Sequence, residues 1–249
     1  MIFGMEDIKV IYKDDNFLAV YKPAGVLVHE VRSKKHEAGN DLSSKFRAPC
    51  LVDWLLKNYP EVKGIGDDPE NRPGIVHRLD RDTSGIILIP RNQEYFEYLK
   101  GLFQKGEIKK TYLALVWGKV EPKTGVIEKP IALKSGTTKR TIYQGKMRKE
   151  AITEYKVLKS FKIEEERTSH YFTLLEAYPK TGRTHQIRIH LSSIGYPVVG
   201  DSLYGPKKNP FGLTRQFLHA ESLEFTTKDG KRLRIGSDLP EELSRIIKP

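Results

Sequence analysis

The chain has 249 residues, 30% of them charged, and its 43 Lys and Arg against 32 Asp and Glu leave a net charge of +11. That length can bury a sizeable core, which excludes general disorder, and so large a basic excess points to a polyanionic partner. A single cysteine, Cys50, excludes an internal disulfide and a CxxC zinc site, and fits a reducing compartment.

Glu6 and Asp7 stand where a secretory signal would carry its apolar stretch, so no signal peptide is read at the start. Ile8 to Tyr12 and Phe17 to Tyr21, joined by Asp14-Asp15-Asn16, predict an opening β-hairpin that ends at Lys22-Pro23-Ala24-Gly25. The stretch from Val31 to Pro49 reads as a long, mobile basic loop, and Val52 to Leu56 as a short helix. After a Gly-, Asp- and Pro-rich passage comes the most densely charged segment, His77-Arg78-Leu79-Asp80-Arg81-Asp82-Thr83-Ser84-Gly85, followed by the strand-like Ile86-Ile87-Leu88-Ile89. Apolar positions 95, 96, 99, 102 and 103 have the spacing of an amphipathic helix from Gln93 to Phe103.

A strand is expected from Lys110 to Trp117. Between Leu133 and Lys149 lie Lys134, Lys139, Arg140, Lys146, Arg148 and Lys149 with no acid, which reads as a basic arm or hairpin. Alternation over Ala151 to Leu158 and Tyr171 to Tyr178 predicts half-buried sheet. Thr184 is placed to cap a helix carrying Ile187, Leu191 and Ile194 on one face and stopping at Gly195. Strands mixed with three or so helices, without regular β-α alternation, predict an α+β fold with a mixed, largely antiparallel sheet. No repeat or low-complexity linker divides the chain, so one domain over residues 1–249 is expected. No apolar run approaches the ~20 residues of a membrane helix, so a soluble, cytoplasmic protein is expected. Heptads and long exposed apolar faces are missing too, which makes a monomer the default.

Two segments carry chemistry-bearing side chains. Asp80, flanked by Arg78 and Arg81, would stay ionised beside those guanidinium groups and serve as a nucleophile or base. An ordinary turn in which Asp80 and Asp82 satisfy amides and arginines explains the segment about equally well. The second, TGRTHQIRIH at 181–190, sits where a strand hands over to a helix. Arg183 at such a start opposes the helix dipole unless it serves an anion. His185 and His190 fall about 140° apart on a helix, which argues against a shared metal.

Together these segments resemble one family closely. HRLDRDTSG at 77–85, KKTYLALV at 109–116, TGRTHQIRIHL at 181–191, GYPVVGDSLYG at 195–205 and LHA at 218–220 are similar, in order, to the motifs of RluA-type pseudouridine synthases. KPAGVLVH at 22–29 and KEAITEY at 149–155 fit as well. The pattern begins almost at once, so a member without an S4-type RNA-binding module is expected.

The resemblance implies conversion of uridine in RNA to pseudouridine. The C1′–N1 bond breaks, the uracil turns, and a C1′–C5 bond forms, with no cofactor and no metal. It assigns Asp80 as the catalytic aspartate, Arg183 as its guanidinium partner, and Tyr112 as the residue stacking on uracil and aiding loss of the C5 proton. Read without the family pattern, Tyr112 is an ordinary sheet aromatic. The resemblance further makes Leu218 an apolar wall, Arg78 the filler of the space left by a flipped nucleotide, and His77 and His185 substrate-binding residues. Structured RNA, ribosomal or transfer, is the expected partner, and DNA and membranes are not. Two other readings compete: an N-glycoside hydrolase using Asp80 and Asp82, and an RNA-binding or ribosome-assembly factor without turnover.

Overall fold

Asp14 builds the first turn: its Oδ1 accepts hydrogen bonds from the Asn16 and Phe17 amides, both at 2.8 Å, so the chain reverses between β1 (Lys9–Lys13) and β2 (Phe17–Lys22). The computed structural model describes residues 4–30, 49–137, 139–165 and 168–247, and the basic loop expected from Val31 lies almost wholly outside them. The chain groups into two compact units, Met1–Asp82 with Ile86–Lys105, and Thr83–Gly85 with Gly106–Pro249.

In the first unit β2 lies between β1 and β3 (Ser84–Pro90), and every residue of β3 is buried, as its unbroken apolar run requires. Helix α1 (Leu51–Asn58) buries Leu51, Val52 and Leu55, and the Asp53 carboxylate caps its start by accepting from the Cys50 amide at 2.8 Å. Helix α2 (Gln93–Lys105) runs two residues beyond its predicted end. It buries Tyr95, Phe96, Leu99 and Leu102, four of the five positions the periodicity selected. Asn92 Oδ1 caps it on the Tyr95 amide, and the Tyr95 ring stacks on Phe17 with centroids 5.4 Å apart.

The second unit is an antiparallel array in the order β12-β11-β4-β10-β9-β5. These strands are β4 (Lys109–Trp117), β5 (Thr124–Glu128), β9 (Ile152–Glu165), β10 (Thr168–Pro179), β11 (Leu218–Thr226) and β12 (Arg232–Gly236). Ser84 and Gly85 pair with His219 and Ala220 in parallel. A Cβ on Gly85, whose φ is +129°, would lie 2.2 Å from the Ala220 carbonyl oxygen, so only glycine fits there. The basic arm is a separate three-stranded sheet in the order β7-β6-β8, from β6 (Ile131–Leu133), β7 (Arg140–Thr141) and β8 (Lys146–Lys149).

The fold class is therefore α+β with a mostly antiparallel sheet. Three details differ from expectation. Phe172 to Leu175 are buried without alternation, because β10 is an inner strand covered on both faces there. Helix α3 (Gln186–Ser193) is not capped by Thr184: its N-cap is His185, held in the left-handed region at φ 57°. A fourth helix, α4 (Glu241–Ile247), buries Leu243.

Candidate functional site

In the first unit the segment carrying Asp80 has no regular secondary structure and is held by its backbone. The Arg81 carbonyl accepts from Lys22 Nζ at 2.9 Å and from the Gly25 amide at 2.9 Å. Lys22 is fully buried and places its other two protons on the carbonyls of Pro23 (2.7 Å) and Val26 (2.8 Å), so three acceptors compensate one desolvated ammonium. Gly25 turns at φ +84°, which brings its amide onto the same carbonyl. Lysine and glycine of the KPAG turn thus clamp the residue next to Asp80.

The side chains of this segment divide the work. Leu79 is buried, Asp80 half-buried and Arg78 exposed. Arg81 Nε and Nη2 donate to the two oxygens of Asp82 at 2.9 and 3.2 Å, which occupies that carboxylate with its neighbour and raises the Arg81 pKa. Asp82 is thereby a poor second carboxylate for hydrolysis. His77 Nε2 accepts from the Leu88 amide at 2.9 Å, and its ring stacks on Phe103 with centroids 4.4 Å apart, tying the start of the segment to β3 and α2. His29 ends the KPAGVLVH run, and burial, then the charges of Arg78 and Arg72, hold its pKa below the usual histidine value.

In the second unit Tyr112 lies on β4 opposite Ala177 of β10 and Ala220 of β11. Directly opposed residues share a face, so the tyrosine is flanked by two methyl groups. Leu218, buried at 3% exposure, pairs with Ala114 and so stands on the same face two positions along. Lys110 shares that face as well. Burial, then the charge of Lys180, lowers its pKa to about 8. The Lys-x-Tyr spacing in a strand was the available signal for this amine, and the sequence reading passed over it.

Arg183 follows β10. Its amide donates to Gln186 Oε1 at 3.0 Å and its Nε to the Glu150 carbonyl at 3.0 Å. Gln186, buried, also accepts from Thr181 Oγ1 (2.6 Å) and donates to the Ile152 carbonyl (2.9 Å) and Thr153 Oγ1 (3.0 Å). Every polar atom of the amide is used, so the loop bearing Arg183 is fastened to β9. Gln186 was also missed, since nothing in a lone glutamine marks it as a fastener. His185 Nδ1 lies 2.9 Å from the Tyr204 hydroxyl, and His190, buried, has Thr153 Oγ1 and the Lys129 carbonyl each at 2.9 Å from its two nitrogens.

A mixed, mostly antiparallel sheet carries these motifs in this order, and comparison with known proteins identifies the family. The family model described as RNA pseudouridylate synthase matches residues 16–193. An RNA pseudouridine synthase of Chloroflexus aurantiacus, named as uncharacterized, is 39% identical over 228 residues, covering 91% of this chain and 64% of that protein. The ribosomal large subunit pseudouridine synthase D of Nitrosomonas europaea is 35% identical over 250 residues, covering 96% of this chain and 64% of that one. Among solved structures, human RNA pseudouridylate synthase domain containing 1 matches with a TM-score of 0.71 at 26% identity, over 96% of this chain and 86% of that one. The chain belongs to the RNA pseudouridylate synthase family. It spans 64% of the length of each of the two bacterial relatives. Among the described residues no helix is long and apolar enough to cross a membrane.

Proposed function

We propose that this chain, as one catalytic domain, isomerises uridine to pseudouridine in structured RNA, ribosomal or transfer, with Asp80 as the essential carboxylate. The observation that carries the reading is Asp80 itself, in an HRLD segment whose backbone is clamped by Lys22 and Gly25 through Arg81. An ionised oxygen is required whether it attacks C1′ or removes the 2′ proton, and by resemblance Arg183 is assigned as its guanidinium partner. Breaking C1′–N1 and forming C1′–C5 leaves one proton to move from C5 to water and one to be returned to N1, so the atoms balance with no co-reactant. Tyr112 stacks on the uracil and aids departure of the C5 proton, Leu218 walls the base, and His77 and His185 complete the substrate contacts.

A uridine inside a helix must leave its stack first, at a cost of a few kcal/mol, and Arg78, exposed two residues before Asp80, fills the vacated space. The basic arm grips neighbouring phosphates. The test is incubation with total RNA tritiated at uracil C5. Isomerisation releases the label with the RNA chain intact, hydrolysis yields free uracil, and a binding factor does neither. Asp80→Asn is expected to lower release by on the order of a thousandfold or more with the fold unchanged. Undiminished release from the folded variant refutes the proposal.

A further inference from the structure

The arm from β6 to β8 carries more than charge. Lys134, Lys139, Arg140, Lys146, Arg148 and Lys149 lie within it. Among the described residues none of the six meets a carboxylate, whereas Arg91, Arg232, Arg234 and Arg245 pair with Glu61, Glu224, Glu221 and Glu241. Uncompensated cations this dense repel one another, a cost that a polyanion relieves. The connection from β7 to β8 crosses the end of β6, and Gly145 lies there so close to the chain that a Cβ would stand 2.5 Å from the Leu133 carbonyl oxygen. That crossing holds out Tyr143, 77% exposed, whose amide donates to Thr141 Oγ1 at 3.1 Å. Met147, 70% exposed, follows at φ 55°, unusual for a residue with a side chain, and turns a second apolar group to solvent.

The base of the arm is fixed. Ile131 packs with Ala151 and Ile189, Ile142 and Tyr204 close over them, and the Arg140 amide donates to the Tyr204 hydroxyl at 3.0 Å. Tyr204 also holds His185, and the Glu150 carbonyl at the arm's end accepts from Arg183. The exposed aromatic therefore follows directly on Ile142, part of a base that is tied to the loop bearing Arg183.

Resting on the isomerase reading, we infer that the arm is a site for single-stranded RNA: an unpaired base stacks on Tyr143 while the surrounding Lys and Arg hold its phosphates. A duplex offers the cations the same phosphates but keeps its base faces stacked inside, so Tyr143 selects unpaired nucleotides.

The test measures binding of the full chain to a fluorescein-labelled single-stranded oligouridylate and to a labelled RNA duplex. Tyr143→Ala should weaken single-strand binding about tenfold and leave duplex binding unchanged, while Tyr143→Phe should bind both as the parent does. Exchanging Lys146 and Arg148 for Gln should weaken both and flatten the salt dependence. Circular dichroism checks that each variant folds, as so exposed a side chain allows. Equal weakening of both ligands by Tyr143→Ala, or no weakening, overturns the inference, as does parent binding to anionic lipid vesicles but not to the single strand. If tritium release by the parent persists while the binding difference is absent, only the arm reading falls. If the difference is present and no release occurs, only the isomerase reading falls.

Discussion

Arg188 and Asp201 form a buried, two-pronged ion pair, Nε to Oδ2 at 2.7 Å and Nη2 to Oδ1 at 2.8 Å. The pair joins α3 to the turn at 201–204, where Asp201 Oδ1 also accepts the amides of Leu203 and Tyr204 at 2.9 and 3.1 Å. Burial by itself would raise the Asp201 pKa, but the guanidinium and the two amides outweigh it and hold the carboxyl below its usual range. The stability it contributes is present above the ordinary carboxylate pKa and is lost as pH falls through the lowered one. Asp201→Ala leaves Arg188 buried without its partner and should cost about 3–5 kcal/mol in urea unfolding. A loss below about 1 kcal/mol would mean that water reaches the site.

A second prediction concerns His219. Its Nδ1 lies 3.0 Å from Ser84 Oγ and its Nε2 3.2 Å from the Ser237 carbonyl, an arrangement that a neutral ring with its proton on Nε2 satisfies at both ends. Burial is the largest of the causes that lower its pKa to about 4. The unfolded chain therefore binds the proton first. The stability is complete above about pH 6.5 and is lost as pH falls toward 4, by about 2 kcal/mol at pH 5. Urea midpoints at pH 7 and pH 5 should diverge more for the parent than for His219→Asn, and equal divergence refutes this.

Lys110 has the same sign in a different window. With its pKa lowered to about 8, the folded chain releases a proton that the unfolded chain keeps until about 10.5. Stability from this site rises between those two values, and below pH 8 the whole cost of burying the ammonium is present. Lys110→Met should therefore be more stable at pH 7, by on the order of 1 kcal/mol or more, and its advantage should shrink by pH 10. An advantage independent of pH would trace the gain to packing instead.

For Arg78, replacement by Lys keeps the charge and removes the planar guanidinium. If Arg78 fills the place of an extruded nucleotide, Arg78→Lys should slow tritium release from a folded stem-loop by about tenfold relative to its effect on an unstructured strand. Equal effects on the two substrates would reduce Arg78 to a charge neighbour of Asp80.

Local rules already wrote much of this protein into its sequence. The hairpin follows from Asp14 between two β-rich runs, α2 from its apolar spacing, and the buried β3 from Ile86 to Ile89, because each depends on residues close in the chain. The motifs around Asp80 and Arg183 were legible only as a resemblance to a family, since local rules left an ordinary turn equally open for Asp80. What the tertiary structure alone decided is which polar groups lose water and what replaces it. Thr184 has the chemistry of a helix cap, yet the buried amide of Gln186, reaching β9 more than thirty residues away, organises that turn instead. The buried residues of β10, the Arg81 carbonyl on Lys22, the depressed amine of Lys110 and the neutral ring of His219 likewise depend on neighbours distant in the chain. Desolvation is a property of assembled surroundings, and no local pattern contains it.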